Sequence, residues 1–199
     1  MVWNETLKRE IPDGWGVGVL SDIADITMGQ SPCGESFNET GHGMIFFQGA
    51  TDFGERFPSI RQFTTAPTRF AKRGDILLSV RAPVGTMNIS ATDCCIGRGL
   101  AAIHGRRQST TYVGFCLKYS RSLFENRNAT GTTFGSMTKD DLFKLNVLIP
   151  PEQISNNFSE LSEISSSDMD NICGENQRLI QLRNWLLPML MNGQAEIME

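Results

Sequence analysis

Residues 150–191 read PPEQISNNFSELSEISSSDMDNICGENQRLIQLRNWLLPMLM, and this stretch divides the chain. Upstream of it glycine and proline recur every few residues. After Pro151 they nearly vanish, leaving Gly174, Pro188 and Gly193. Apolar side chains fall at Ile154, Phe158, Leu161, Ile172, Leu179, Leu182, Leu186 and Met189, a 4-3 alternation, with Ile164 and Met169 one place off the stripe. Asp168 and Glu175 interrupt it. A helix from 151 to about 191 rises ~60 Å at ~1.5 Å per residue. So long an amphipathic helix cannot fold back along its whole length onto residues 1–150, so its stripe calls for a partner helix. The alternative is a two-helix hairpin broken near Ser165-Ser166-Ser167.

Working back from that boundary, short apolar runs stand between Gly, Asp and Pro. They are Met44-Ile45-Phe46-Phe47, Ile76-Leu77-Leu78-Ser79-Val80, Leu100-Ala101-Ala102-Ile103 and Leu145-Asn146-Val147-Leu148-Ile149. Runs of this length read as buried strands rather than helices. Three segments read as helices. Ser21 to Met28 has Ser21 as N-cap. Tyr112 to Asn126 buries Val113, Phe115, Cys116, Leu117, Leu123 and Phe124 while Lys118 and Arg121 face outward. Thr138 caps a third segment, with Asp141 three residues on. The expectation is a mixed α/β (α+β) globular domain over 1–150, followed by a long helical region over 151–199.

The composition, 40% hydrophobic and 20% charged, is that of an ordinary globular protein. No run approaches the ~18 apolar residues of a membrane span. Met1-Val2-Trp3-Asn4-Glu5 is not a basic region leading into an apolar one, so no secretory signal is expected. Five cysteines without a C-x-x-C suit reduced thiols in a cytoplasm better than a disulfide framework. The net charge of -4 is unevenly spread. Residues 56–127 hold twelve basic side chains against Asp75, Asp93 and Glu125, whereas both ends of the chain are acidic. Phosphate binding responds to basic groups gathered on one surface, so the local field outweighs the total. A solvated face with scattered arginines would carry the same charge.

Several polar residues sit where a ligand could be met. Gln30 and Ser31 leave the Ser21–Met28 segment in a tight turn, Gly29-Gln30-Ser31-Pro32. Gln can pair two-pronged with adenine, although an ordinary helix-stop turn looks the same. Arg81 directly follows a buried strand, and Pro83 stiffens what comes next. It suits phosphate or guanine, or a core-edge ion pair with Asp75 or Asp93. Arg98 lies between Gly97 and Gly99, where backbone can approach a ligand closely or form a bulge. Gly131 to Ser136 is a Thr/Gly loop, with Thr132 and Thr133 offering hydroxyls around Phe134; it is either a phosphate contact or a flexible surface loop. Lys139 follows it closely. Arg106-Arg107 reads as a solvated basic turn.

Taken in order, the strings resemble one family. Trp15 and Val19-Leu20-Ser21-Asp22-Ile23-Ala24-Asp25-Ile26 lead into Gly29-Gln30-Ser31-Pro32. Gly74-Asp75-Ile76-Leu77-Leu78-Ser79-Val80-Arg81-Ala82-Pro83-Val84-Gly85 and Ile96-Gly97-Arg98-Gly99-Leu100-Ala101-Ala102-Ile103 follow. Then come Gly131-Thr132-Thr133-Phe134, Leu148-Ile149-Pro150-Pro151-Glu152-Gln153 and Leu182-Arg183-Asn184-Trp185-Leu186-Leu187-Pro188-Met189-Leu190. From about residue 12 to 194 this closely resembles the specificity subunit of type I restriction-modification systems: a target recognition domain and a helical region. The resemblance implies a non-catalytic chain that reads one half of a bipartite site on double-stranded DNA. It implies that Gln30 and Ser31 read base edges, that Arg81 and Arg98 read bases or anchor phosphates, and that Thr132, Thr133 and Lys139 grip the backbone beside Phe134.

The resemblance further implies that the long helix pairs antiparallel as a coiled coil through Phe158, Leu161, Ile172, Leu179, Leu182 and Leu186. Its partner would be a second half-subunit or a tandem repeat. Methyltransferase (modification) subunits would dock on the pair, and the restriction/translocase subunit would join through the complex. Members usually carry two units in tandem and this sequence carries one, so it is a natural half-length subunit or a piece of a longer one. Its closing residues resemble the end of the second unit. The alternative is the DNA-recognition domain of a single-chain restriction-methylation enzyme.

Enzymatic readings find little support. Ile149-Pro150-Pro151-Glu152 lacks the amide and the aromatic residue of a DNA methyltransferase site, and no glycine-rich methyl-donor loop is read after the first strand. All five lysines lack the acidic residue two places ahead that a common metal-dependent nuclease uses. His42, His104 and unclustered cysteines argue against zinc. No G-x-S-x-G appears. No cofactor or metal is expected.

Overall fold

The structure is a computed structural model, and it describes residues 1–106, 109–122, 124 and 136–194. Its strands are β1 (Val2–Asn4), β2 (Arg9–Ile11), β3 (Gly16–Val19), β4 (Ala24–Met28), β5 (Phe37–Asn38), β6 (Met44–Phe47), β7 (Gln62–Thr64), β8 (Phe70–Ala71), β9 (Ile76–Ser79), β10 (Met87–Ile89), β11 (Cys94–Ile96), β12 (Leu100–Gly105) and β13 (Asn146–Ile149). The helices are α1 (Leu20–Ile23), α2 (Thr110–Tyr119), α3 (Lys139–Phe143) and α4 (Glu152–Met191). They fall into two compact units, Met1–Ser159 and a second beginning at Glu160.

In the first unit a four-stranded antiparallel sheet, ordered β10-β9-β12-β4, lies beside a five-stranded sheet, β5-β7-β6-β11-β8. The latter contains one parallel pair, β6 with β11. Two further pairs are β1–β2 and β13–β3. The four apolar runs of the sequence are β6, β9, β12 and β13. Ile76–Leu78 of β9 and Leu100–Ile103 of β12 are continuously apolar because both faces are covered there. Ile76, Leu78, Ala101 and Ile103 enter one core with Leu20, Val113, Leu117, Leu142 and Val147. The alternate residues Leu77, Leu100 and Ala102 enter a second core with Phe47, Ala71, Cys94 and Ile96. The two-residue period of a strand thus supplies two cores from one pair of strands.

The helix expected over Ser21 to Met28 is corrected. Only Leu20–Ile23 is helical, with Val19 at the N-cap and the Asp22 carboxylate accepting the Val19 N–H at 2.9 Å. Ala24–Met28 is instead a strand, paired with Ala101–Gly105 of β12. The apolar residues here fit either period. The ladder to β12 satisfies the backbone groups of Ala24–Met28, and β-branched Ile26 and Thr27 suit the pleat. The expected helix from Tyr112 begins at Thr110, capped by Ser109, whose hydroxyl accepts the Tyr112 N–H at 3.1 Å. α2 ends at Tyr119; Arg121, Ser122 and Phe124 are helical, and the expected helix's remaining residues, Leu123, Glu125 and Asn126, lie outside the described residues. Phe115, expected to be buried, is exposed. The capping box at Thr138 and Asp141 is formed as its spacing predicts.

α4 is one helix of 40 residues that passes unbroken through Ser165–Ser167 and Gly174, so the hairpin alternative falls away. Its first turns belong to the first unit. Phe158 is half-buried, and its ring meets Tyr112 and Phe115 of α2 edge-on, each at 5.8 Å between centroids. Phe158, which its spacing places on the pairing stripe, therefore also contacts its own domain. Beyond Ser159 the stripe is uncovered, with Leu161, Ile172, Leu179 and Leu182 exposed and Leu186 half-buried. No described helix is long and apolar enough to cross a membrane.

The end of β4 makes the tightest crossing. A Cβ built on Gly29 would lie 2.1 Å from the Gly97 carbonyl oxygen, whereas one on Gly34 meets nothing within 4 Å. Gly29→Ala should therefore destabilise the chain by about 1–3 kcal/mol or more, the range of overpacked cores. Gly34→Ala should stay within about 0.5 kcal/mol of the wild type. Urea unfolding midpoints read both, and equal midpoints would contradict the crossing.

Candidate functional site

Four distant segments meet where β4, β6, β9 and β12 end or begin. From β4, the Gly29 N–H donates to the Leu100 carbonyl at 2.9 Å and the Gln30 N–H to the Ile96 carbonyl at 3.0 Å. These bonds hold Gln30 and Ser31 beside the Gly97-Arg98-Gly99 turn that precedes β12. There the Arg98 N–H donates to the Ser31 hydroxyl at 3.3 Å. The Thr68 hydroxyl fixes the Gln30 carbonyl at 2.6 Å, and the Gln30 side chain is exposed.

From β6 comes a residue that sequence reasoning missed. Gln48 follows buried Phe46 and Phe47, and its carbonyl accepts the Gly99 N–H at 3.2 Å. Its side-chain Nε2 donates to the Ser31 Oγ at 3.0 Å, and that hydroxyl lies 3.3 Å from Oε1. The available signal was modest: an amide closing an apolar strand and followed by Gly49.

From β9 comes Arg81. The Val80 N–H donates to the Gly99 carbonyl at 2.9 Å, so the β9–β12 ladder runs on past its last pair toward Arg81 and Arg98. The Ser79 hydroxyl holds the Arg81 carbonyl at 2.7 Å, and Arg81 bridges Ser136. Gln48, Thr51, Ser79, Arg81, Pro83 and Gly99 line an open cavity of about 300 Å³. The Met137 N–H donates to the Val80 carbonyl at 2.8 Å. Thr138 then caps α3, whose first residue, Lys139, lies with its Nζ 5.0 Å from the Phe143 ring centre. Gln30, Ser31, Arg98 and Arg81 are thus brought together through backbone bonds, and Lys139 follows three residues after the Arg81 bridge. Thr132, Thr133 and Phe134 lie outside the described residues.

The charges around this cluster separate into neutralised and free. Buried Asp52 is paired with Arg61, whose guanidinium pKa is raised by that hydrogen bond and charge. Arg106 pairs with Asp25 at 2.6 Å, as a solvated turn would. Asp75 accepts His104 Nδ1–H at 2.9 Å and the Lys72 N–H at 2.8 Å, and Asp93 accepts the Arg73 N–H at 2.9 Å. Both acids considered as partners for Arg81 are therefore engaged elsewhere. Arg81, Arg98 and Lys139 are exposed and make no ion pair with a described residue. Burial pushes the Cys94 thiol up to about 11, so it supplies no thiolate near neutrality. Among the described residues no three His, Cys, Asp or Glu side chains gather to hold a metal ion. The cluster offers amides, a hydroxyl and unpaired guanidinium groups: the chemistry of hydrogen-bonded recognition of an anionic polymer.

Comparison with known proteins agrees. Residues 12–166 match the model of the type I restriction modification DNA specificity domain. A Methanocaldococcus jannaschii protein described as a type I restriction enzyme MjaX specificity subunit is 31% identical over 192 residues, covering 94% of this chain and 45% of its own length. The crystal structure of the HsdS subunit from Thermoanaerobacter tengcongensis superposes with a TM-score of 0.67 at 32% identity, over 94% of this chain and 42% of that one. A chain from a structure on complex assembly and conformational transition of the type I system gives a TM-score of 0.64 at 32% identity, over 91% and 46%. The chain thus spans a little under half the length of these relatives.

Proposed function

Because this chain belongs to the family of type I restriction-modification DNA specificity domains, we propose that it reads one half of a bipartite site on double-stranded DNA. The observation that carries the reading is the gathering of Gln30, Ser31, Arg98 and Arg81 by backbone bonds, with neither guanidinium group in an ion pair with a described residue. A carboxamide can specify a base edge, and a guanidinium can hold guanine or phosphate. Lys139 grips the DNA backbone beside this cluster, and the sequence offers Thr132, Thr133 and Phe134 for the same role. The chain itself does no chemistry in this reading. Methyl transfer and cleavage belong to modification and restriction/translocase subunits that assemble with it in the cytoplasm.

Assembly falls to α4. Phe158, Leu161, Ile172, Leu179, Leu182 and Leu186 form the stripe, and a second such helix, from another copy or another unit, covers it antiparallel. Each Leu or Ile so covered contributes roughly 1.5–3 kcal/mol when fully buried. A helix pair of fixed length sets two recognition domains at a fixed separation, which matches a bipartite site with a defined spacer. The modification subunits dock on the same pair.

Two outcomes test this. Leu179→Asp with Leu186→Asp should abolish pairing in sedimentation while the recognition domain keeps its unfolding midpoint; unchanged sedimentation would refute the pairing. For DNA, the full chain should retain duplexes in a salt-dependent way. If Arg81 or Arg98 holds a phosphate, replacing it by Ala should weaken all duplexes alike and lower the salt slope by about 1. If it reads a base, the loss of roughly 1–3 kcal/mol should be confined to the preferred sequence. Retention and salt slope unchanged in the Arg81→Ala, Arg98→Ala double variant would remove the DNA surface from this cluster.

A further inference from the structure

Arg61 and Arg106 are in ion pairs with Asp52 and Asp25. Arg69, Arg81 and Arg98 are exposed and make no ion pair with a described residue. These three share one main-chain network. The Ile96 N–H donates to the Arg69 carbonyl at 2.9 Å, and the Ile96 carbonyl accepts the Gln30 N–H at 3.0 Å. Ile96 leads directly into the Gly97-Arg98-Gly99 turn, whose Gly99 carbonyl accepts the Val80 N–H next to Arg81. Thr68 adds a further link, its hydroxyl donating to the Gln30 carbonyl at 2.6 Å. Arg69 and Gln30 are therefore neighbours, both held by Ile96. Arg69 leads into β8, the last strand of the five-stranded sheet, which pairs with β11 through Ala71 with Cys94 and Phe70 with Cys95. Ala71 and Cys94 belong to the second core, so the backbone that carries Arg69 is anchored.

The geometry points to Arg69 as a further contact with duplex DNA, a phosphate anchor on the flank of Gln30. This rests on the DNA-reading function proposed above. Phosphate contacts fix the register in which neighbouring side chains meet base edges, and they carry no sequence information themselves. An exposed guanidinium adjoining the exposed Gln30 side chain, on backbone bonded to the same residue, is placed for that task. Lys72 and Arg73 follow on the same segment and are exposed as well. Carboxylates lie against their backbone, however: Asp75 accepts the Lys72 N–H at 2.8 Å and Asp93 the Arg73 N–H at 2.9 Å. Those negative charges oppose a phosphate there. Among the described residues no carboxylate is bonded to Thr68 or Arg69, whose bonds run to the Gln30 carbonyl and the Ile96 N–H. The anchor is therefore Arg69, at the end of the segment that meets Gln30, and not the basic run as a whole.

The test is binding of the full chain to several duplexes of unrelated sequence, measured from about 50 to 200 mM salt. Arg69→Ala should weaken every duplex alike and lower the salt slope by about 1. Its deficit against the wild type should then shrink roughly three- to four-fold across that range, the effect of one phosphate contact. Arg69→Lys keeps the charge and should restore the slope. Arg73→Ala removes the same charge four residues on and should lower the slope by less, because Asp93 already opposes a phosphate there. Arg69→Gln is read in the same way should Arg69→Ala lower the unfolding midpoint. An unchanged slope in both Arg69 variants, with the Arg81→Ala, Arg98→Ala double variant still lowering it, would overturn the inference while leaving the DNA surface in place. A loss confined to one sequence would make Arg69 a base reader, and equal reductions from Arg69→Ala and Arg73→Ala would show a diffuse field; either would overturn the anchor. A wild type that retains no duplex at any salt would overturn both readings.

Discussion

Gly29, Gly97 and Gly99 allow three backbone segments to cross at separations that no Cβ tolerates, 2.1 Å in the tightest case. Everything in the candidate site depends on that crossing. The Gly29 and Gln30 amides reach the Leu100 and Ile96 carbonyls because Gly29 carries no Cβ to meet the Gly97 carbonyl, and the Gln48 backbone fits beside Gly97 and Gly99 because neither has a side chain. The cluster is therefore assembled by main-chain hydrogen bonds between rigid strand ends, not by long side chains finding one another. Such a scaffold tolerates exchange of the exposed side chains it presents, because none of them holds the fold together. A recognition surface whose target must vary needs that separation of duties.

The same economy runs through the core beneath. β9 and β12 are buried on both faces and give alternate residues to two apolar clusters, so displacement of either strand disturbs both. Arg81 and the Gly97-Arg98-Gly99 turn are continuations of these two strands, and they inherit that rigidity. Acidic side chains on the same domain are occupied elsewhere: Asp52 with Arg61, Asp75 with His104, Asp25 with Arg106. Arg81 and Arg98 at the strand ends make no ion pair with a described residue. The total charge of -4 conceals this, since it adds the acids of remote segments to a locally basic surface.

Much of this was legible in the residues because a few local signals have a single physical meaning. Apolar runs bounded by Gly, Asp and Pro became β6, β9, β12 and β13, and Thr138 with Asp141 formed the capping box. Loss of Gly and Pro after Pro151 marked α4, and the polar residues flanked by glycine at 30–31 and 98 were drawn to one place. Other features depended on tertiary partners. Ala24–Met28 carries a pattern that suits either period, and only pairing with β12 decides for a strand. Phe158 lies on the helical stripe, yet it also meets Tyr112 and Phe115. Gln48 has no motif of its own; only the fold brings it against Ser31, seventeen residues away.

The reading proposed for the chain makes the ends of β4, β6, β9 and β12 one surface for duplex DNA. Amide hydrogen exchange of the full chain, with and without a saturating duplex at low salt, addresses it directly. Phosphate contacts form on any sequence, so the target need not be known. Added protection is expected at residues 29–31, 48–49, 81–82 and 97–99, with α4 beyond Ser159 unchanged. Protection confined to α4 or to the β1–β2 hairpin, with those four segments exchanging as before, would contradict it.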